Sequence, residues 1–149
     1  MCAHQQALVR RVGLACRRLG RPFVLEILPY PLPGEPDPPL GALERAVAAF
    51  AQPEFGVDLY KLPYPGGRFQ AYRSLPAPWV LLSGRLGFAD FMRALEASLE
   101  GGAVGFLAGR AFWLEAVRRY PDMAAMEREL ERAQERFLLA RGLLGVTGL

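Results

Sequence analysis

Apolar positions recur along this chain in two rhythms. Residues 5–19 place Leu8, Val12, Ala15, Cys16 and Leu19 at helical spacing, and Gly20 offers a stop. The short apolar run 22–28 predicts a strand, closed by the proline-broken segment 29–34. Residues 41–51 predict a helix, and 56–62 a second strand closed by Pro63 and Pro65. A loop is expected from 65 to 77, then a third strand over 78–83. Residues 88–100 carry Phe88, Phe91, Met92, Leu95 and Leu99 on one helical face, ended by Gly101 and Gly102. A fourth strand is expected over 103–108, followed by a helix opening at Gly109-Arg110 and running to about 119. Dense Glu and Arg at three- and four-residue spacing predict a last helix over 121–141, with a frayed tail from Gly142.

Helices thus alternate with short strands that read apolar throughout, the pattern of strands covered on both faces in a parallel sheet. The expected class is α/β. At 149 residues one domain is the default, with 121–149 as its C-terminal helix and tail. Parallel strands joined by right-handed crossovers bring their C-terminal ends to one edge.

Composition narrows the function classes. No run of about 18 apolar residues appears, so no membrane span is expected. The start, Met1 to Gln6, lacks the charged-then-apolar order of a secretory signal, so the cytoplasm is the expected location. Cys2 and Cys16 have no metal-ligand spacing and are expected as free thiols. The net charge is +3, but the arginines are spread out, in pairs at most, so nucleic acid is not an expected partner.

One count changes the picture. Of 18 basic residues only Lys61 is a lysine. Arginine serves wherever charge alone is needed, whereas a lysine amine can lose its proton in a suitable site, and only the neutral amine is a nucleophile. Lys61 falls near the end of a strand, as do Glu26, Ser83 and the Gly109-Arg110 pair, at the edge where parallel α/β folds bind ligands. Singly each has a plainer reading: an ion-paired glutamate, a turn-forming serine, an ordinary connection before a helix. Jointly they form a coherent set. A lysine can make an iminium with a ketone, and a neighbouring carboxylate, Glu26, can shuttle protons. Gly109 lets an anion approach a helix N-terminus, Arg110 can clamp it, and Ser83 with Gly84 can supply the companion loop.

The stretches ALVRRVGLACRRLGRPFVLEIL (7–28), FGVDLYK (55–61), PWVLLS (78–83) and VGFLAGRAFW (104–113) resemble the tagatose-1,6-bisphosphate aldolase family, which includes sulfofructosephosphate aldolases. The resemblance reaches to about residue 120. It implies a (β/α)8 barrel of which this chain holds the C-terminal half, strands five to eight. It implies Lys61 as the Schiff-base lysine, Glu26 as the acid/base residue, and Ser83, Gly84, Gly109 and Arg110 as the phosphate site, with a phosphorylated sugar as substrate and no metal or cofactor.

The chain also departs from that family. Pro63 stands where a glutamate is usual, and Gly84-Arg85 replaces a small residue followed by glycine. Arg85 would either crowd the phosphate pocket or add a charge to it. Segment 65–77 is too short for the family's helix. The chain is expected to begin just before strand five, so a half-barrel would need completion, by a second copy as a homodimer or by a separate N-terminal half, or else be an inactive remnant.

Overall fold

The computed structural model describes residues 3–31 and 33–145. Its elements are α1 (Ala3–Arg18), β1 (Val24–Glu26), α2 (Ala42–Phe50), a single 3-10 turn over Pro53–Phe55, β2 (Leu59–Leu62), α3 (Gln70–Arg73), β3 (Trp79–Leu81), α4 (Phe88–Glu100), α5 (Arg110–Val117) and α6 (Met123–Gly142). The strands form one parallel sheet in the order β1-β2-β3.

Burial along β2 alternates strictly: Tyr60 and Leu62 are buried, while Leu59 and Lys61 are only half-buried. The first pair faces the helices. There Val47, Phe50, Phe55, Tyr72 and Trp79 fill one core. A second core gathers Leu81, Phe91, Leu95 and Phe112 between β3, α4, α5 and α6. Its aromatic rings, Phe91, Phe106, Phe112 and Phe137, pack at centroid distances of 5.5 to 5.7 Å. Asp122 starts α6 by accepting a hydrogen bond from the Ala125 N–H at 2.9 Å, as an N-cap should. Glu129, buried on α6, is ion-paired by Arg132 and approached by Arg119 and Arg136.

Four expectations need correction. The fourth strand, 103–108, is reduced to an isolated bridge between Leu81 and Phe106. Its backbone still follows β3, since Leu81 donates to the Gly105 carbonyl and Leu107 to that of Leu81. Gly102 at φ 101° and Gly105 cut its length, and glycine weakens a strand interior. Second, the segment expected as a loop holds α3, one turn long, because the buried Tyr72 docks against Trp79.

Third, α1 turns a different face inward. Val9 and Gly13 meet the body of the protein, while Leu8, Val12 and Leu19 are exposed. Gly13 decides this: a Cβ there would lie 1.9 Å from the Phe55 carbonyl oxygen, so the helix approaches closest where it has no side chain. Fourth, β1 is not covered on both faces. It is the edge of the sheet, and Val24 and Glu26 are exposed. Half of the tail expected to fray, 146–149, lies outside the described residues, and Gly142 itself belongs to α6. Cys16 is a free, half-buried thiol, and Cys2 lies outside the described residues. Among the described residues no helix is long and apolar enough to cross a membrane.

Candidate active site

The register of the sheet sets the site. Glu26 on β1, Lys61 on β2 and Val80 on β3 occupy one row. Successive strand side chains alternate faces, so this row points away from the helix-covered face that buries Tyr60 and Leu62. Lys61 Nζ lies 2.9 Å from Glu26 Oε2, a charge-assisted hydrogen bond. The side chains are 28% and 39% exposed respectively, so solvent reaches both groups.

Two buried phenols hold the lysine strand in place. Tyr60 donates to the Phe50 carbonyl at 2.8 Å and Tyr72 to the Pro63 carbonyl at 2.9 Å. Burial pushes the Tyr60 hydroxyl up to about 12, because the phenolate would be stranded in an apolar setting. Burial, with help from the Glu44 carboxylate and against the pull of Arg68, raises Tyr72 as well.

Glu26, Lys61, Ser83, Gly84, Gly109 and Arg110 all line one cavity of about 260 Å³. Ser83 follows β3 and is buried. Its carbonyl accepts from the Leu86 N–H at 2.9 Å, which closes a turn through Gly84. Gly84 has φ 56°, a conformation that suits glycine. Gly109 precedes α5, and its carbonyl accepts from the Phe112 and Trp113 N–H groups at 2.9 and 3.2 Å, so the N–H groups of Arg110 and Ala111 are the ones that begin the helix without an intrahelical acceptor. A Cβ at Gly109 would stand 2.7 Å from the Trp113 indole nitrogen, so glycine leaves room there that another residue would fill.

The cavity also has walls that the sequence did not single out: Leu28, Tyr30, Leu82, Leu107 and Trp113. Trp113, four residues past Gly109, was findable from helical spacing alone. Tyr30 was not, because it reaches the site from the loop after β1. Arg85, which was expected either to crowd the pocket or to charge it, is absent from the lining; its guanidinium sits 6.0 Å from the Tyr30 ring centroid.

A parallel sheet that presents an amine, a carboxylate and two glycine-containing turns to one cavity defines an α/β protein with a cleft at its strand ends. Comparison with known proteins agrees and goes further. The profile described as DeoC/LacD family aldolase matches residues 2–115, and the chain belongs to that family. Among solved structures it is similar to a Schiff-base-forming fructose-1,6-bisphosphate aldolase, with a TM-score of 0.62 and 22% identity over 89% of this chain and 50% of that one. It is also similar to an archaeal fructose-1,6-bisphosphate aldolase whose catalytic lysine carries the carbinolamine intermediate (TM-score 0.58, 20% identity, 85% of this chain, 49% of that). A further archaeal fructose-1,6-bisphosphate aldolase gives a TM-score of 0.59 at 20% identity over 90% and 50% of the two chains. The chain therefore spans about half the length of these barrel structures.

Proposed function

We propose that this chain is the lysine-bearing half, strands five to eight, of a class I aldolase barrel, acting on a ketohexose bisphosphate of the tagatose 1,6-bisphosphate type. The observation that carries the reading is the 2.9 Å Lys61–Glu26 pair in a cavity also lined by Ser83, Gly84, Gly109 and Arg110. In the cleavage direction the neutral Lys61 amine adds to the substrate ketone, and water leaves as the iminium forms. Glu26 takes the proton from the hydroxyl beyond the scissile bond. That carbon–carbon bond breaks, its electron pair passes into the iminium as an enamine, and a three-carbon aldehyde departs. Protonation of the enamine and hydrolysis return Lys61 and release dihydroxyacetone phosphate. At about 260 Å³ the cavity is smaller than the roughly 300–1,000 Å³ usual for small-molecule sites. That size suits the triose-phosphate end of the substrate, with the rest of the sugar held elsewhere.

Covering the remaining side is the natural role of a second half-barrel, from another copy of the chain or from a separate N-terminal half. An open cleft of apolar Leu8, Leu25, Leu28 and Phe50 runs along the free edge of β1, and unpaired strand edges seek partners. Light scattering on the purified chain tests the homodimer: a strictly monomeric species excludes it.

Borohydride trapping tests the chemistry. The chain has a single lysine, so a reduced adduct with dihydroxyacetone phosphate on a side-chain amine is an adduct at Lys61. Intact-mass and peptide spectra should show it in the wild type and lose it in Lys61→Arg. No adduct in folded protein refutes catalysis by this chain alone. A second reading, a sugar-phosphate binder without catalysis, draws on Pro63 and on the solvent-open lysine. It expects phosphate to stabilise Lys61→Ala as it does the wild type, and to leave Arg110→Ala unaffected.

A further inference from the structure

We propose that Tyr30 and Arg85 form a charge-reading rim at the anion end of this cleft, which makes the site select a dianionic phosphoryl group over a monoanionic group of the same shape. The inference rests on the anion role proposed above for Ser83, Gly84, Gly109 and Arg110.

Tyr30 stands four residues past Glu26, and its hydroxyl comes near Gly84. It lines the same space as Ser83, Gly84 and Arg110. Its hydroxyl reaches the Gly84 turn: a Cβ built on Gly84 would lie 3.4 Å from the Tyr30 oxygen. The Arg85 guanidinium sits 6.0 Å from the centre of the Tyr30 ring, at the limit of cation–π contact. Tyr30 is thus a partition with the anion loop at its tip and a cation on its face. Both are only partly covered by protein, so neither is a core residue.

The charge count follows. Arg110 supplies one guanidinium at the start of α5. Arg85 follows Gly84 directly and supplies a second next to the same turn, without occupying the cavity. Contact through the ring face leaves the N–H edges of a guanidinium able to hydrogen-bond. A phosphate monoester carries about −1.5 to −2 near pH 7, whereas a sulfonate or carboxylate carries one charge. One cation with backbone N–H groups suits a monoanion. Attraction to the second cation scales with the charge of the ligand, so a dianion gains about twice what a monoanion does.

The test uses two small probes matched in shape, methyl phosphate and ethanesulfonate, titrated at pH 8 and low salt into the full-length chain with binding read by NMR. The wild type should prefer methyl phosphate. Arg85→Ala should weaken methyl phosphate about threefold to fivefold, the range of one partly solvated ion pair, and ethanesulfonate less than about twofold. Tyr30→Phe keeps the ring and should match the wild type, while Tyr30→Ala should copy Arg85→Ala. Equal weakening of both probes by Arg85→Ala, or of neither, overturns the rim while loss of both probes in Arg110→Ala leaves the anion site standing. If Arg110→Ala binds both probes as the wild type does, the anion site is misassigned and the rim falls with it.

Discussion

Replacing Tyr72 by phenylalanine removes one hydroxyl and leaves a ring, so its effects can be worked out in advance. Tyr72 is 1% exposed, and its ring meets Trp79 edge-on at 4.8 Å, a contact that Phe retains. What disappears is the hydrogen bond from the phenol to the Pro63 carbonyl, two residues beyond Lys61. A neutral hydrogen bond is worth about 0.5–1.5 kcal/mol net, and more when the surviving partner is sealed from water. The Pro63 end is only partly buried, so about 1 kcal/mol is expected at pH 7.

The pH dependence sharpens the test. Burial, and secondarily the Glu44 carboxylate, raises the Tyr72 phenol above its ordinary value of 10 in the folded protein. Below pH 10 the phenol is protonated in both states and its contribution is intact. Above pH 10 the unfolded chain releases the proton while the folded one keeps it. Stability then falls by about 1.4 kcal/mol per pH unit for this group until the folded value is passed. Tyr72→Phe lacks that loss, and the two proteins differ in no other group. In guanidinium unfolding followed by circular dichroism, the wild type should lead by about 1 kcal/mol at pH 7. The curves should meet near pH 11 and cross above it. A gap that stays constant from pH 9 to 11 refutes the buried-phenol argument. No gap at pH 7 refutes the hydrogen bond.

Other perturbations probe separate parts of the molecule. Glu26→Gln keeps the shape of the Lys61 partner but cannot take a proton; borohydride trapping of a ketose phosphate should persist while aldol turnover, assayed with any completing half present, falls about 10²- to 10⁴-fold. Phe91→Ala empties a fully buried position that touches Phe106 and Phe112, and should lower unfolding free energy by about 3–5 kcal/mol in a denaturant titration. The Arg68 hydrogen bond holds the Glu44 carboxyl below its ordinary value, so that pair stabilises the fold above pH 4.5 and its contribution fades as pH falls through the lowered value. Arg68→Ala should flatten the acid limb of the stability profile between about pH 5 and 3; an unchanged slope would show that the pair is broken in solution.

The helix over Phe88–Glu100 was legible to the residue, because Phe91 and Leu95 repeat on one face and two glycines follow. The strands were legible as apolar runs but not in their lengths. β1 shrinks from 22–28 to three residues because only one neighbour pairs with it, and pairing is not written in local composition. The inward face of α1 is not the one its hydrophobicity marks: Leu8 and Val12 are exposed, and close approach at Gly13 settles the packing. Within the candidate site, Lys61 could be read from its scarcity and strand-end position, and Glu26 from its strand-end position. Tyr30 could not, since its place depends on the path of a proline-rich loop through space.

That contrast shows how the fold aims the amine. A strand side chain changes face with every residue, so a slip of one position would turn Lys61 in among the helices and bring Tyr60 to the cleft. Nothing in the Lys61–Glu26 contact prevents this, since a half-exposed ion pair is worth at most about 1 kcal/mol. The constraint comes from behind the sheet. Tyr60 and Leu62 fill fully buried positions; the Tyr60 phenol ties the strand to the Phe50 carbonyl, and the Tyr72 phenol of α3 holds the Pro63 carbonyl at the strand's end. A slipped register would leave both hydroxyls without these partners and expel two large side chains from the core. The residues that place the amine are therefore the ones that never touch the cleft. For that reason Lys61 can be exchanged for arginine or alanine with little effect on stability, which keeps the trapping experiment a test of chemistry rather than of folding.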